Sequence, residues 1–524
     1  MEESELGTKL SRQGESLSSG PAKAAFMGHP RGLYYLFFAE LWERFSFYGM
    51  RSLLTLYMVK EVFHAIEQAD IKAATVYASY GSLVYAAPVL GGRLADSLLG
   101  YRRSILLGGV LMTLGHFVLA IQHPALFYIA LAFLIVGNGF FKPNISTFVG
   151  KLYLEGDPRK DSGFSIFYMG INIGAALSPL LCGYLAYEFG WHYGFGLAGI
   201  GMLGGLIFFH VGIRRGVFAS EGLPPDKAML EERVWGLSRG AWTVVLSFLT
   251  VPLIAFAMYY HKPLLESTGT IWDGISLVQL VFILLGILVL IYLLHFCIFK
   301  SSHVERSKLV SAMVLTILMT IFWGFFEMQG SSLTLFAERN VNLSFLNASQ
   351  TNSINPIFII LLAIPVALLW KFLSRKRMNP PTPYKFSFGF LTMGLAFLIL
   401  SWSGSMADEA GRVPFFYLWF PYLLLSTGEL CMSPIGLSKI TDLSPRRLAA
   451  FMMGVWFLSS SYAFLVVGAV GRYMAVEDTG LEEGMKSLEI YTAGFEKIAY
   501  ICLATTLVVL LFSPFIRKAM RGVH

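Results

Sequence analysis

Four ionisable side chains occupy one apolar stretch of the sequence, AELWERFSFYGMRSLL, at residues 39–54. They are Glu40, Glu43, Arg44 and Arg51. On a helix, all four project within an arc of about 140°, together with Phe47 and Tyr48. A charge near the middle of a bilayer costs at least ~2.5–3.5 kcal/mol, so this arc must face water or partner groups rather than lipid. The cluster is suited to binding ions and protons inside a membrane.

Three more ionisable residues lie in apolar stretches: Lys142 in GFFKPNIS, Glu327 in FWGFFEMQGSS and Glu429 in LLLSTGELCMSPIG. Acids placed at depth therefore outnumber bases by one. A carboxylate without a counter-charge in a low-dielectric cavity tends to take up a proton, so the pattern predicts proton coupling. The alternative is a fixed ion-pair network that only attaches the first helix to its neighbours. His116, also in an apolar stretch, is interpreted as a packing residue.

The rest of the chain must supply the elements that hold these groups in a membrane. Of 524 residues, 55% are hydrophobic and 14% are charged, whereas a soluble domain carries about 25% charged residues. Apolar runs near the ~20 residues needed to cross a bilayer recur along the chain. We predict fourteen spans, at residues 32–60, 72–97, 103–121, 126–151, 163–188, 191–213, 240–261, 276–299, 309–337, 353–373, 384–403, 414–440, 449–473 and 491–516. The sequence thus predicts an all-α integral membrane protein.

Lys and Arg residues in the loops and near the ends of the spans are distributed unevenly. With the N-terminus inside, 27 of them fall on the inner side and 8 on the outer side. Short cytoplasmic loops carry such an excess, so both termini are expected in the cytoplasm. The net charge of +7 is then a topology signal, and it gives no support to a nucleic-acid partner.

The four cysteines have no paired spacing, which favours buried small hydrophobes over disulfides or a metal site.

The chain divides into two halves at the polar segments 214–239 and 300–308. We predict a disordered cytoplasmic tail at 1–30, an N-terminal six-helix bundle at 31–213, a linker with an inserted helical hairpin at 214–300, a C-terminal six-helix bundle at 301–518 and a cytoplasmic tail at 519–524. Paired bundles of this kind suit alternating access, in which the halves rock about a central site.

Four motifs resemble those of the proton-dependent oligopeptide transporters, a family within the major facilitator superfamily. ELWERFSFYG, at 40–49, resembles the E-x-x-E-R-F-x-Y-Y-G signature, and FYMGINIGA, at 167–175, resembles F-Y-x-x-I-N-x-G. GGRLADSLLGYRRS, at 91–104, is similar to the cytoplasmic-loop motif, and GELCMSPIGLS, at 428–438, to the motif of the tenth transport helix. The resemblance implies the major facilitator fold, with two six-helix bundles plus the inserted hairpin of bacterial members.

The resemblance also implies a function and a set of site residues. The function is proton-coupled import of di- and tripeptides across the bacterial inner membrane. The implied proton-coupling residues are Glu40, Glu43, Arg44 and Glu327. The implied peptide-binding residues are Arg44, Tyr48, Arg51, Tyr85, Lys142, Tyr168, Asn172, Trp323, Asn355, Glu429 and Trp456. Without the resemblance, the aromatic members of this set are equally interpreted as packing residues.

A zwitterionic peptide needs a cationic and an acidic pole, and the two halves of the chain supply them. Arg44, Arg51 and Lys142 lie in the first half and suit a carboxylate, whereas Glu429 lies in the second half and suits an amine. The resemblance further implies two gate ion pairs, Arg51 with Glu327 and Lys142 with Glu429. Asp96, Arg102 and Arg103 are interpreted either as an inner-gate latch or as a capped loop with surface charges.

Phe47 departs from the family signature, because the first tyrosine of Y-Y-G is absent. This leaves open a second cargo, nitrate or another small anion, as moved by relatives of the family. A receptor that binds peptide without moving it and an intramembrane enzyme are further alternatives. An enzyme is not expected, because no catalytic arrangement of residues is seen in the sequence. We expect no metal and no cofactor beyond the coupling proton, and as partners the bilayer, peptides and peptide-like drugs, with the chain acting as a monomer.

Overall fold

The structure, a computed structural model, describes residues 25–26, 28–66, 68–154, 156–259, 276–445, 447–476 and 483–522. The helices of the first half are α1 (Arg31–Tyr57), α2 (Ala69–Leu94), α3 (Gly100–Leu119), α4 (Pro124–Lys151), α5 (Lys160–Phe189), α6 (Trp191–Arg214) and the short α7 (Lys227–Glu231). A hairpin follows, made of α8 (Arg239–Tyr259) and α9 (Leu277–Phe299). The second half contains α10 (His303–Phe326), α11 (Ser332–Asn340), α12 (Ile354–Arg375), α13 (Thr382–Trp402), α14 (Phe416–Leu443), α15 (Ala449–Tyr473) and α16 (Glu483–Ala519).

Short elements join the long helices. Two π-helical turns extend α1 and α2, at Met58–Val62 and Ala95–Leu99. Three 3₁₀ turns lie at Glu327–Gly330, Ser349–Ser353 and Ser403–Met406. The strands are two antiparallel pairs, β1 (Ala25–Phe26) with β2 (His29–Pro30) and β3 (Arg233–Val234) with β4 (Leu237–Ser238), and one parallel pair, β5 (Val341–Asn342) with β6 (Val413–Pro414).

The predicted membrane-spanning architecture is confirmed. Within the described residues, eleven helical stretches are long and apolar enough to cross a membrane, and one of them, Ala69–Leu119, contains both α2 and α3. The charge-bearing helices α1 and α14, of 27 and 28 residues, also have the required length. These helices together account for the fourteen spans.

Two spans differ from the prediction. The span predicted at 309–337 divides into α10 and α11, because a 3₁₀ turn at Glu327–Gly330 interrupts it. The local sequence EMQGSS contains glycine and serine, which are weak helix formers and favour such a break. The last helix begins at Glu483 rather than at 491. Elsewhere local signals fix the boundaries, as at α10, where Ser302 and Glu305 form a capping box.

Buried apolar side chains form two cores, one in each half of the chain. The first core is built mainly from α1–α6 and α8, and the second from α9–α16. The cores meet where α2 packs on α15, with the Tyr85 ring stacked on Phe464 at 5.5 Å between centroids. All four cysteines are buried free thiols.

One end of the paired bundles is joined by polar contacts between the two halves. The joining pairs are Lys60 with Glu338, Asp70 with Arg339, Gly183 with Asn347 and Leu180 with Gln350. We call this end of the molecule the closed face. It lies at the C-terminal end of α1, and the N-terminal end of α1 lies at the opposite end of the bundles.

The inserted hairpin contacts both bundles. Phe248 of α8 packs edge-on against Phe133 of α4 at 6.0 Å, and Phe282 of α9 packs against Tyr462 of α15 at 6.2 Å. Residues 260–275, between the two helices, lie outside the described ranges. Of the predicted N-terminal tail, residues 25–26 and 28–30 are described and contain β1 and β2, while 1–24 and 27 are outside the described ranges, as are 523–524 at the other terminus. The predicted domain boundaries stay predictions.

Candidate functional site

The first part of the site is a cluster of three buried charges on α1. The Arg44 guanidinium lies 3.2 Å from a Glu40 oxygen and donates to Glu43 at 2.7 Å. Glu43 is fully buried, and Arg44 is 3% exposed. One arginine therefore holds two carboxylates, and the second Glu40 oxygen has no hydrogen-bond partner in the described chain. Close packing of α1 on α5 supports the cluster, because a Cβ on Gly174 would lie only 3.2 Å from the Cβ of Arg44.

Phe47 lies beneath this cluster rather than in an open space. Its ring is 4% exposed, and the Arg44 guanidinium sits 5.4 Å from its centroid. Such a cation–π contact adds about 0.5–2 kcal/mol of attraction. Because the ring is buried, a hydroxyl at this position would not reach solvent. Whether the missing hydroxyl favours a different cargo stays open at this point.

The second part of the site joins the two bundles through Arg51. Arg51 of α1 forms an ion pair with Glu327 at the break between α10 and α11, and its Nε donates to the Tyr77 hydroxyl at 2.9 Å. The break permits the contact, because a Cβ on Gly330 would lie 2.7 Å from Arg51 Nε. Thr55 also donates to the Gly330 carbonyl at 2.7 Å. The expected contact of Arg51 with Glu327 is present, and its gating role stays a prediction.

The third part is a cationic position on α4. The Lys142 ammonium lies 4.1 Å from the centroid of the Tyr85 ring. Its electrostatic neighbours include Arg44 and both carboxylates of the α1 cluster. Lys142 and the α1 cluster therefore belong to one charged region of the N-terminal bundle.

The acidic position of the C-terminal bundle is Glu429 on α14. Asn355 of α12 donates to the Glu429 carboxylate at 3.1 Å and to the Ser426 hydroxyl at 2.9 Å. The expected ion pair between Lys142 and Glu429 is not formed in this conformation, and its role as a gate contact stays a prediction. The physical reason is that the bundles meet at the closed face, while these two side chains have partners within their own bundles, Tyr85 and Asn355.

The aromatic candidates divide into exposed and packed side chains. Tyr168 of α5 is 48% exposed and within electrostatic range of Glu429 on the other bundle. Asn172 donates to the Tyr168 carbonyl at 3.0 Å, one helical turn away. Trp456, in contrast, is 7% exposed and packs closely on α14.

The other two aromatic candidates lie near the Arg51 pair. Tyr48 has the Arg51 guanidinium 5.8 Å from its ring centroid. Trp323 precedes Glu327 by one turn of α10 and packs edge-on against Phe326 at 5.1 Å. Both contacts are compatible with the packing interpretation, so the peptide-binding roles of these rings stay predictions.

The predicted latch of Asp96 with Arg102 and Arg103 is not formed. Asp96 accepts instead from the Tyr101 hydroxyl at 2.9 Å. Arg102 donates to the carbonyls of Ala219 and Glu221, at 2.6 and 2.7 Å, and thereby fastens the segment after α6 to the N-terminal bundle. Arg103 is exposed. These contacts describe one conformation only, and the inner-gate latch and the capped loop both stay predictions.

Sequence reasoning missed the strongest contact of the closed face. Arg339 donates to both carboxylate oxygens of Asp70, at 2.6 and 2.9 Å, and to the Tyr491 hydroxyl at 2.9 Å. The Val476 amide also donates to Asp70. Asp70 and Arg339 lie 269 positions apart near the ends of apolar spans, where no local pattern distinguishes them from ordinary loop charges.

Comparison with known proteins places this arrangement in a family. The family model described as the POT family matches residues 102–483. This chain belongs to the POT family. It is 35% identical to the peptide transporter YePEPT of Yersinia enterocolitica, over 88% of this chain and 91% of that protein. It is 33% identical to dipeptide and tripeptide permease A of Proteus mirabilis, over 95% of this chain and 97% of that protein.

Solved structures agree with the fold of this POT family member. A crystal structure of the peptide transporter POT in complex with sulfate superposes with a TM-score of 0.79 at 34% identity. It covers 95% of this chain and 98% of the solved chain. The fold is thus the major facilitator arrangement expected from the motifs, and the chain is a multi-pass membrane protein of a transporter family.

Proposed function

We propose that this POT family chain is a symporter that imports di- and tripeptides with protons across the bacterial inner membrane by alternating access. The relatives with the same fold and similar length are named peptide transporters and permeases, which supports this cargo. The proposal assigns the α1 cluster to the proton and the space between the bundles to the peptide.

The observation that carries the proposal is the sharing of one arginine by Glu40 and Glu43. Only one guanidinium contacts the two buried carboxylates, and the Lys142 ammonium of the same region forms no ion pair with either, so one carboxylate is left to bind a proton. A protonated carboxyl group also holds Arg44 less strongly. Protonation therefore frees the guanidinium for the carboxylate of an arriving peptide, which couples the two events.

Opposite charges on the two bundles supply the poles that a peptide needs. Lys142 lies in the N-terminal bundle without an ion-pair partner among the described residues, and Glu429 lies in the C-terminal bundle with only amide support from Asn355. A zwitterion that contacts both poles bridges the two bundles. Because that ligand has more contacts in a closed state than in an open state, its binding favours closure.

The charge distribution of the loops supports cytoplasmic termini, and with this orientation the closed face is periplasmic. The structure then represents an inward-facing conformation. In the outward-facing conformation, the contacts of Arg51 with Glu327 and of Asp70 with Arg339 must separate. Both pairs thus serve as gate contacts in the proposed cycle.

Uptake into liposomes tests the proposal directly. Purified protein is reconstituted, and accumulation of labelled dialanine is measured under an imposed inward proton gradient, with and without an uncoupler. We expect accumulation above the external concentration, and we expect the uncoupler to abolish it. Accumulation that persists without any proton or voltage gradient contradicts proton coupling.

Two controls in the same assay distinguish the alternatives. Unlabelled dipeptides should compete with the label, whereas nitrate should not; competition by nitrate alone favours an anion cargo. A receptor would bind dialanine without accumulating it. We further propose that peptide-like drugs compete for the same site and that the proton is the only cofactor. We also propose that a monomer is sufficient. Peptide binding measured with one chain per nanodisc can check the last point.

A further inference from the structure

A cavity of about 390 Å³ lies at the end of the C-terminal bundle opposite the closed face. It is formed where the first turn of α13 meets the last turns of α16, and it is lined by Tyr384, Pro514, Arg517, Lys518 and Gly522. The transport site described above uses none of these residues.

The two cations of this cavity have no counter-charge in the part of the chain that the structure describes. Neither Arg517 nor Lys518 forms an ion pair or a side-chain hydrogen bond with any described residue, and no lining residue is acidic. Arg521, one turn beyond Arg517, adds a third positive charge nearby, with His303 as its contact at 3.4 Å. The cavity is therefore a concentrated positive site with one hydroxyl group, that of Tyr384.

An exposed apolar stripe on α16 leads directly to this cavity. Leu511, Phe515 and Lys518 follow one another at spacings of four and three residues and so lie on one face of the helix. Leu511 and Phe515 are 70% and 69% exposed, and in a membrane such a face contacts acyl chains. On α13, the exposed Phe388 stands one turn beyond Tyr384. Apolar surface for chains and cationic surface for a headgroup are thus continuous.

We propose that this cavity binds the phosphate headgroup of an anionic glycerophospholipid, with the acyl chains lying along the Leu511–Phe515 stripe. Basic pockets between helices at the cytoplasmic end of a membrane protein suit such headgroups. Helices α13 and α16 pack closely, and the Ser387 hydroxyl of α13 donates to the Thr506 carbonyl of α16 at 3.1 Å. The bound lipid supports this packing. Charge complementarity, rather than a fit to apolar surface alone, selects the occupant.

The test is a lipid titration of the purified full-length chain by native mass spectrometry, with cardiolipin, phosphatidylglycerol and phosphatidylcholine in separate arms. The variant is Arg517→Gln/Lys518→Gln. The matched control is Lys371→Gln/Arg375→Gln, which removes two exposed charges from the last turns of α12 at the same end of the molecule. We expect the variant to lose about 30-fold in affinity for the anionic lipids, from about fivefold per charge, and the control to lose little.

A second measurement separates lipid binding from free phosphate binding and from misfolding. Thermal unfolding in detergent is followed with added cardiolipin, with glycerol phosphate, and with neither. Cardiolipin should raise the Tm of the wild type and of the control, but not of the variant, while all three unfold at similar temperatures without lipid. Equal protection by glycerol phosphate, equal loss of lipid affinity in the control, or unchanged affinity in the variant overturns the proposal.

Discussion

At the scale of single residues, the site is organised by how its buried charges are paired. Arg44 neutralises one of two carboxylates, Arg51 is paired with Glu327, and among the described residues Glu429 has an amide partner only. A buried ion pair contributes little net stability, because desolvation offsets the attraction, whereas removing one partner costs about 3–5 kcal/mol. These groups are therefore explained better by function than by stability.

The first prediction concerns Glu43. Glu43→Gln removes one carboxylate from Arg44 while keeping the shape of the side chain, so the cluster no longer needs a proton. We expect proton-driven accumulation of dialanine to be lost, while exchange of labelled for unlabelled peptide at equal concentrations continues. Glu409→Gln, at an exposed loop position, is the control and should behave as the wild type. Continued proton-driven accumulation by the Glu43 variant contradicts the assignment.

The second prediction concerns Glu429. Reversing its charge in Glu429→Lys places an ammonium group where the peptide amine is proposed to bind. We expect dipeptide uptake to be abolished, and Asn355→Ala to weaken it by about tenfold through loss of one hydrogen bond to a charged group. Uptake kinetics in liposomes measure both effects. Normal uptake by the Glu429 variant removes this residue from the site.

The third prediction concerns the pair of Arg51 and Glu327. Each single charge reversal leaves two like charges in contact, so we expect both Arg51→Glu and Glu327→Arg to be inactive. The double exchange restores opposite charges and should recover part of the transport rate. A double-mutant cycle on peptide exchange gives the coupling between the two positions. If the double variant is no better than the worse single variant, the pair does not act as a gate contact.

At the scale of elements, the break between α10 and α11 positions the carboxylate of Glu327, the proposed gate residue. An uninterrupted helix from 303 to 340 would keep the backbone straight through Glu327, and the close approach of Gly330 to α1 would be lost. Helix interruptions in transporters are tolerated where neighbouring groups satisfy the freed backbone, and here Thr55 donates to the Gly330 carbonyl. The element that departs from the predicted helix is thus a part of the site.

The fourth prediction follows from Gly330. Gly330→Ala introduces a methyl group 2.7 Å from Arg51 Nε, too close for an unshifted contact. We expect the Arg51 ion pair to be displaced and the closed face to lose about 1–3 kcal/mol of stability relative to the open arrangement. Labelling of a cysteine introduced at Ser332, which is buried here at the start of α11, should become faster. Gly204→Ala, where nothing lies within 4 Å of the added carbon, is the control. Equal labelling rates would refute the link.

At the scale of the whole molecule, transport requires the closed face to open. Two inter-bundle ion pairs, Lys60 with Glu338 and Asp70 with Arg339, join α1 and α2 to α11 at this face. The first pair is partly exposed, so its net contribution is under about 1 kcal/mol, while the second is largely buried and resists separation more strongly. The face can therefore close firmly and still separate when a ligand favours the other state.

The fifth prediction tests this opening. Lys60→Cys/Glu338→Cys, bridged by a short bifunctional thiol reagent, links the two bundles, and we expect peptide uptake to stop. Lys60→Cys/Tyr187→Cys links two neighbouring positions of one bundle and should leave uptake largely intact. The four native cysteines are buried, which limits background labelling. Undiminished uptake across the inter-bundle link contradicts alternating access at this face.

The sequence determined the features that depend on local composition and spacing. Apolar length specified the spans, because each must cross the same hydrocarbon thickness, and the spacing of charges on α1 specified one common face. The motifs indicated the family, which the POT family match confirms. The break at Glu327 was signalled only weakly, by one glycine and two serines that membrane helices also tolerate.

Only the tertiary structure decided which charges meet. Arg51 contacts Glu327 across 276 positions, Asp70 contacts Arg339 across 269, and Arg102 binds carbonyls after α6 instead of Asp96. Lys142 and Glu429 stay apart in this conformation. A charge in a membrane must find some partner, and the sequence states that requirement, but the choice among partners depends on how two bundles pack, which no local pattern encodes.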